Sequence, residues 1–204
     1  MSLTDVMCAA VPNFDAERLV SLIIVTDGFS RTAESVRGIV MHHCAEPAAD
    51  PFIMLFGNEF SQELQEIESI PEYMIDRQGS LEQAKQSADC WLYNTLGEGV
   101  TPIFISSGFY GWTDTLCKAI AWRDTCDSID LRQLYSLYRK PEQALIGRDS
   151  CKALLTGCSK PPQRFGLHAI EAEIGADHIS IGIKPVVRAY STSAQTLAML
   201  TRGA

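Results

Sequence analysis

The stretch LVSLIIVTD, residues 19–27, decides the fold of this chain. It is rich in leucine and β-branched residues, contains Ser21 as the only polar residue before Thr26, and is followed by Gly28. A short, nearly continuous apolar run that ends at turn residues is typical of a strand buried on both faces of a sheet. The run therefore predicts the central strand of an α/β domain.

Two more strand patterns follow at 36–44 and 51–57, and a turn of Pro, Ala and Asp separates them. The first three strands therefore predict a meander. His42 and His43 lie at its second turn. Adjacent strand residues point to opposite faces, so we do not expect the two imidazoles to share a metal ion, and we expect both to be solvated.

Helix signals dominate the rest of the chain. Ser61 is a candidate N-cap, and Ser80 followed by Gln83 is a capping-box signature for a helix that Gly97 ends. The residues 100–107 predict a strand, and the residues 112–122, 130–138 and 165–176 predict helices. Three strands, helices, a strand and further helices predict an α/β fold with a mixed central sheet flanked by helices.

Composition limits the possible functions. The chain has 204 residues and a net charge of −8, which argues against sequence-blind capture of nucleic acid but allows a local basic groove. Its seven cysteines include no CxxC pair, which favours reduced thiols over a disulfide framework or a zinc site. No apolar run is long enough to span a bilayer and no signal peptide is evident, so we expect a cytoplasmic protein without a membrane partner. We expect an N-terminal arm at 1–18 and a single domain at 19–204.

Four segments together resemble the DEDD-type 3′–5′ exonucleases, the DnaQ-like branch of the ribonuclease H-like fold. They are LIIVTDGF (22–29), the stretch from SIPEYM to WTDTL (69–116), FGLHAIEAEIGA (165–176) and RAYSTSAQTLAML (188–200). The resemblance implies a ribonuclease H-like, exonuclease-like sheet. In that family four carboxylates hold two divalent ions, Mg²⁺ or Mn²⁺, which activate water at a terminal phosphodiester.

The chain departs from this family pattern at most of the carboxylate positions. Asp27 matches the leading Asp, but Phe29 stands at the following Glu, Gly111 at the second Asp and Ser193 at the last Asp. One carboxylate with hydroxyls does not hold two hard cations. We therefore expect a degenerate exonuclease-like protein that lacks two-metal hydrolysis, has no cofactor, and binds single-stranded nucleic acid or a protein partner.

Arg188 stands where the family has its His general base, and its guanidinium cannot lose a proton. It is a candidate phosphate ligand, and pairing with Asp27 is the alternative. Ser107, which replaces a family Asn, and the aromatic residues Tyr110 and Trp112 border the cleft that the resemblance implies. These three residues are candidate nucleic-acid contacts, although helix-spaced aromatic residues are also typical of a core.

Two alternative enzymes remain open at this point. Asp114 follows Gly111 by three residues and could join Asp27 as a catalytic pair, with Asp27 as a metal ligand, in an active metal-dependent 3′–5′ exonuclease. Cys158 and His168 could form a thiolate–imidazolium nucleophile, in a pattern loosely similar to that of bacterial toxin deamidases. The oligomeric state is also open, since an exposed strand at 51–57 would allow a homodimer.

Overall fold

The computed structural model describes residues 11, 13–28, 32–46, 48–106, 112–122, 127–130 and 183–202. Within these residues, six strands form one sheet in the order β4-β3-β2-β1-β5-β6. The strands are β1 (Leu19–Thr26), β2 (Val36–His43), β3 (Phe52–Phe56), β4 (Ile75–Asp76), β5 (Ile103–Ser106) and β6 (Asp127–Asp130).

The sheet is mixed. β1, β2 and β3 pair as an antiparallel meander, and on its other side β1 pairs in parallel with β5, which pairs in parallel with β6. β1 therefore has a strand on each side, as its apolar sequence predicts. The prediction of an α/β fold with a mixed sheet flanked by helices is confirmed.

Helices cover both faces of this sheet: α1 (Gln62–Glu68), α2 (Leu81–Leu96), α3 (Trp112–Ala119) and α4 (Lys184–Arg202). Val20 and Leu22 of β1 belong to one apolar cluster with α2 and α3, whereas Val25 belongs to another with α1 and α4. Alternate residues of a strand point to opposite faces, so β1 contributes to both clusters. Ser21, an odd-numbered residue like Val25, lies on the α4 side of the strand.

The predicted helix starts are confirmed. The Ser61 hydroxyl accepts a hydrogen bond from the backbone N–H of Leu64 at the start of α1. Ser80 and Gln83 form both bonds of the capping box that begins α2. Gly97 ends this helix at φ 97°, a left-handed conformation that a residue with a β-carbon rarely adopts.

Three sequence-based predictions are corrected wholly or in part by the structure. Asp130 closes strand β6 and does not begin a helix, because the segment pairs with β5 along its whole length. β3 is an edge only in part, because β4 pairs with its last two residues, Leu55 and Phe56, and the homodimer stays a prediction. His42 and His43 are buried, not solvated, because helix α4 and the residues before β1 cover the two sides of β2.

The predicted helix at 165–176 and the residues 131–138 lie outside the described residues. Among the helices that the structure does describe, none is both long enough and apolar enough to cross a bilayer.

Candidate functional site

Asp27 lies immediately after β1, at the position where the resemblance places the first metal ligand. Its Oδ1 atom accepts a hydrogen bond of 3.0 Å from the hydroxyl of Ser61, the N-cap of α1. Its Oδ2 atom lies 4.0 Å from Nε of Arg37 on β2. The carboxylate thus already has a hydroxyl donor and a guanidinium beside it.

Arg37 is held firmly beside Asp27. Its side chain donates to the backbone carbonyls of Glu34, Val36 and Glu59, and its Nη2 atom lies 3.8 Å from the Glu59 carboxylate. Since the guanidinium cannot be deprotonated, Asp27 has a permanent cation as its neighbour. A divalent ion at Asp27 would be repelled by this charge.

Ser193 on α4 is the centre of a second, buried cluster. Its hydroxyl donates to Ser21 Oγ of β1 at 3.1 Å, and Ser21 donates to the backbone carbonyl of His42 at 3.3 Å. The single proton of Ser193 is therefore used, so the oxygen accepts from His42 Nδ1 at 2.8 Å and from Cys44 Sγ at 3.4 Å. We call these four residues the Ser193 hub.

The Ser193 hub contains the residue types of a nucleophilic site, a serine beside a histidine. A serine oxygen at 2.8 Å from an imidazole nitrogen is a normal nucleophile–base distance. However, Ser193 is 1% exposed and His42 is 0% exposed, and the Tyr190 ring lies over His42 at 4.2 Å between centroids. Burial also raises the pKa of the Cys44 thiol to about 11. A substrate cannot reach these buried atoms. Since the hydrogen bonds of Ser193 join α4 to β1 and β2, we assign the hub a structural role, in which it holds α4 on the sheet.

Arg188 lies one turn before the hub-facing part of α4 and pairs with Glu68. Its Nη1 atom donates to Glu68 Oε1 at 3.2 Å, and its Nη2 atom lies 3.0 Å from Oε2. The neighbouring Lys184 donates to the backbone carbonyl of Ile67, also in α1. Both contacts tie the start of α4 to the end of α1.

The structure separates the residues that the family alignment would bring together. Ser193 contacts Ser21, which precedes Asp27 by six residues, or about 20 Å along a strand. Asp27 and Arg188 contact opposite ends of α1, which is about 10 Å long. The alternative that Arg188 pairs with Asp27 is therefore wrong, because Glu68 is closer to the guanidinium and Asp27 has Arg37.

The described residues do not fit a pair of divalent ions. Asp27 is beside Arg37, the Ser193 oxygen has used its proton and both lone pairs, and Arg188 adds a second fixed cation. Among the described side chains, His, Cys, Asp and Glu form no group of three or more that could hold a metal ion. The polar groups at these separate places in the fold are used in internal pairing.

Several predicted site residues lie outside the described residues. These are Ser107, Tyr110, Cys158 and His168, together with the substituted positions Phe29 and Gly111. Asp114 and Trp112 belong to helix α3, but their side chains are outside the described part. The Asp27–Asp114 pair, the Cys158–His168 pair and the aromatic contacts to nucleic acid therefore stay predictions.

The Ser193 hub has only one weak signal in the sequence. Ser21 interrupts an apolar run, and a polar residue in a doubly buried strand needs a buried partner. That signal pointed to a polar contact from whichever helix covers the strand. It did not identify Ser193, His42 or Cys44, because their sequence separations from Ser21 range from 21 to 172 residues.

Comparisons of this chain with protein-family models, with characterised proteins and with solved structures find no match. The function must therefore be inferred from the chain's own residues.

Proposed function

We propose that this chain is a non-hydrolytic member of the exonuclease-like group, with a ribonuclease H-like fold, and that it works as a protein-binding module. The sheet supports the fold proposal, since a three-stranded antiparallel meander whose first strand pairs in parallel with later strands is expected of that fold. The helices on both faces agree with this plan.

The observation that carries the proposal is the burial of Ser193. The resemblance places the last metal-binding carboxylate at this position, and here a serine closes a network with Ser21, His42 and Cys44. With an exposure of 1%, the position has no access for the water and the phosphodiester that two-metal hydrolysis requires. The packing at Ser193 therefore supports the proposed loss of hydrolysis, as do the missing acids.

A protein partner is favoured over nucleic acid by the charges around Arg188. A guanidinium that captures phosphate must be available, but this one is engaged by Glu68. Between residues 59 and 98, the only basic residues are Arg77 and Lys85, and each pairs with a glutamate. The acids of this segment make its surface negative and unsuited to a phosphate backbone: Glu59, Glu63, Glu66, Glu68, Glu72, Asp76, Glu82, Asp89 and Glu98.

Thermal melting with and without divalent ions tests the loss of hydrolysis. A specific site at 100 times its Kd would add about 2.7 kcal/mol, which for a chain of this size raises Tm by roughly 5–10 °C. We expect Mg²⁺ and Mn²⁺ each to change Tm by less than about 1 °C, because Asp27 has Arg37 beside it. A large, saturable stabilisation by either ion, or metal-dependent cleavage of an oligonucleotide, would refute the proposal.

Oligonucleotide binding tests the choice of partner. Fluorescence anisotropy with labelled single strands should give negligible affinity for the wild-type chain and for Arg188→Ala. Arg77→Ala is a matched control, because it also removes an arginine paired with a glutamate but follows β4 and belongs to neither α1 nor α4. Tight binding that Arg188→Ala weakens and Arg77→Ala does not would show that Arg188 is a phosphate ligand.

A further inference from the structure

A groove of about 340 Å³ lies at the C-terminal end of α2, on the face of the sheet opposite α4. Tyr93 and Leu92 of α2, Val100 after it, and Trp122 beyond α3 form its walls, and Gly97 and Gly99 lie between them. The groove uses none of the residues in the Ser193 hub or around Asp27. It combines two aromatic rings with a helix end.

The aromatic wall is fixed in place. Ala121, at φ 48°, turns the chain after α3, and the backbone N–H of Trp122 then donates to the carbonyl of Cys117. The Trp122 ring packs against Phe104 at 5.6 Å between centroids, and its Nε1 donates to Asp89 Oδ1 at 3.1 Å. Tyr93, on the next turn of α2 after Asp89, is 56% exposed, so much of its ring remains open to a ligand.

The electrostatic field at the groove is negative. The last carbonyl groups of a helix carry the negative end of its dipole, and helices commonly place Lys or Arg there. α2 is 16 residues long and has no basic residue in its last turn, and the acidic Glu98 comes just after the C-cap residue Gly97. Gly97 and Gly99 have no side chains to shield the backbone, and the space at the β-carbon position of Gly99 is open.

We propose that this groove binds an arginine or lysine side chain of a protein partner. A cation placed at the α2 carbonyls would lie against the rings of Tyr93 and Trp122, where ring faces attract positive charge. The groove is open and at the small end of the range for ligand sites, so it suits one side chain whose backbone remains outside. This inference rests on the proposed protein-binding role, but the metal and oligonucleotide tests of that role concern other residues, so failure at the groove can be told from failure of the proposed function.

Titration with short peptides, followed by NMR, tests the site. The chain has three tryptophans, and the spectrum of Trp122→Phe assigns the indole N–H signal of Trp122. The probes are acetyl-Gly-Arg-Gly-amide, the same peptide with neutral citrulline in place of arginine, and putrescine as a free diamine. We expect the arginine peptide to shift the Trp122 indole and the Gly97 and Gly99 amides saturably, with a Kd of about 1 mM, and citrulline to bind at least several-fold more weakly.

Tyr93→Ala should weaken binding of the arginine peptide by about two- to thirty-fold, because an aromatic face to the cation is lost. The exposed Tyr93 can be replaced without unfolding the chain, and Tyr73→Ala is the matched control, since Tyr73 is 86% exposed and lies outside the groove. An arginine peptide that causes no saturable shift overturns the proposal. Equal binding of citrulline overturns its charge basis, and tighter binding of putrescine overturns the assignment to a protein side chain.

Discussion

Replacing Ser193 with alanine should destabilise the chain strongly, although the change removes a single oxygen atom. That oxygen accepts from His42 Nδ1 and Cys44 Sγ and donates to Ser21, and all four residues are buried. A buried polar group that loses its partner costs about 1–3 kcal/mol, and a thiol donor costs less because its hydrogen bonds are weak. Ser21 keeps its bond to the His42 carbonyl. We therefore expect a loss of about 3 kcal/mol in the free energy of unfolding.

Urea unfolding followed by circular dichroism measures this loss directly, and in a thermal scan it corresponds to a decrease in Tm of roughly 6–12 °C. Thr196→Val is the matched control. Thr196 is also buried in α4, but its hydroxyl bonds to the Thr192 carbonyl within the same helix, so its loss should cost less than about 1 kcal/mol. If Ser193→Ala costs no more than Thr196→Val, the Ser193 hub does not hold α4 on the sheet.

Three further predictions concern stability. Arg188→Ala should cost about 1–2 kcal/mol in urea unfolding, because Glu68 is only 14% exposed, whereas Arg77→Ala should cost less than about 0.5 kcal/mol at its exposed pair. Burial raises the pKa of the Cys44 thiol from its ordinary value of 9.0 to about 11. Between these values the unfolded state binds fewer protons than the folded state, so the stability falls as the pH rises. In urea unfolding at pH 9 to 11, the difference in stability between wild type and Cys44→Ala should therefore shrink. Gly38→Ala should cost about 1–3 kcal/mol in thermal unfolding, because a β-carbon would lie 2.5 Å from a Leu55 methyl and 2.9 Å from the Met54 carbonyl; an unchanged Tm would contradict this.

Much of the fold could be predicted because its signals are local. The apolar run that forms β1 and the capping box at Ser80 each depend on residues close together in sequence. β4 has only two residues, too few for a period to show, and the β6 sequence DSID contains a single apolar residue, so neither strand has a sequence signal. Their conformation depends on pairing with β3 and β5, which lies beyond local sequence.

The site could be predicted only in outline. The sequence alone shows that the carboxylates are missing, since Phe29, Gly111 and Ser193 can be read directly. It does not show what Arg188 contacts, because Glu68 is 120 residues away and is one of many acids in its segment. Ion-pair partners depend on how α1 and α4 pack against the sheet, and hydrophobic patterns do not specify that packing.

A hydroxyl suits position 193 because the position is buried among polar groups that a serine oxygen can satisfy. A carboxylate buried at the hub would need a compensating charge, since an unpaired buried ion is costly. Arg37 is beside Asp27 and Arg188 pairs with Glu68, so neither guanidinium faces the hub. A serine instead satisfies its neighbours without net charge, with one proton donated and two accepted. The ion pair of Arg188 with Glu68 and the buried hydrogen bonds of the hub thus act at successive turns of α4, and both hold this helix on the rest of the fold.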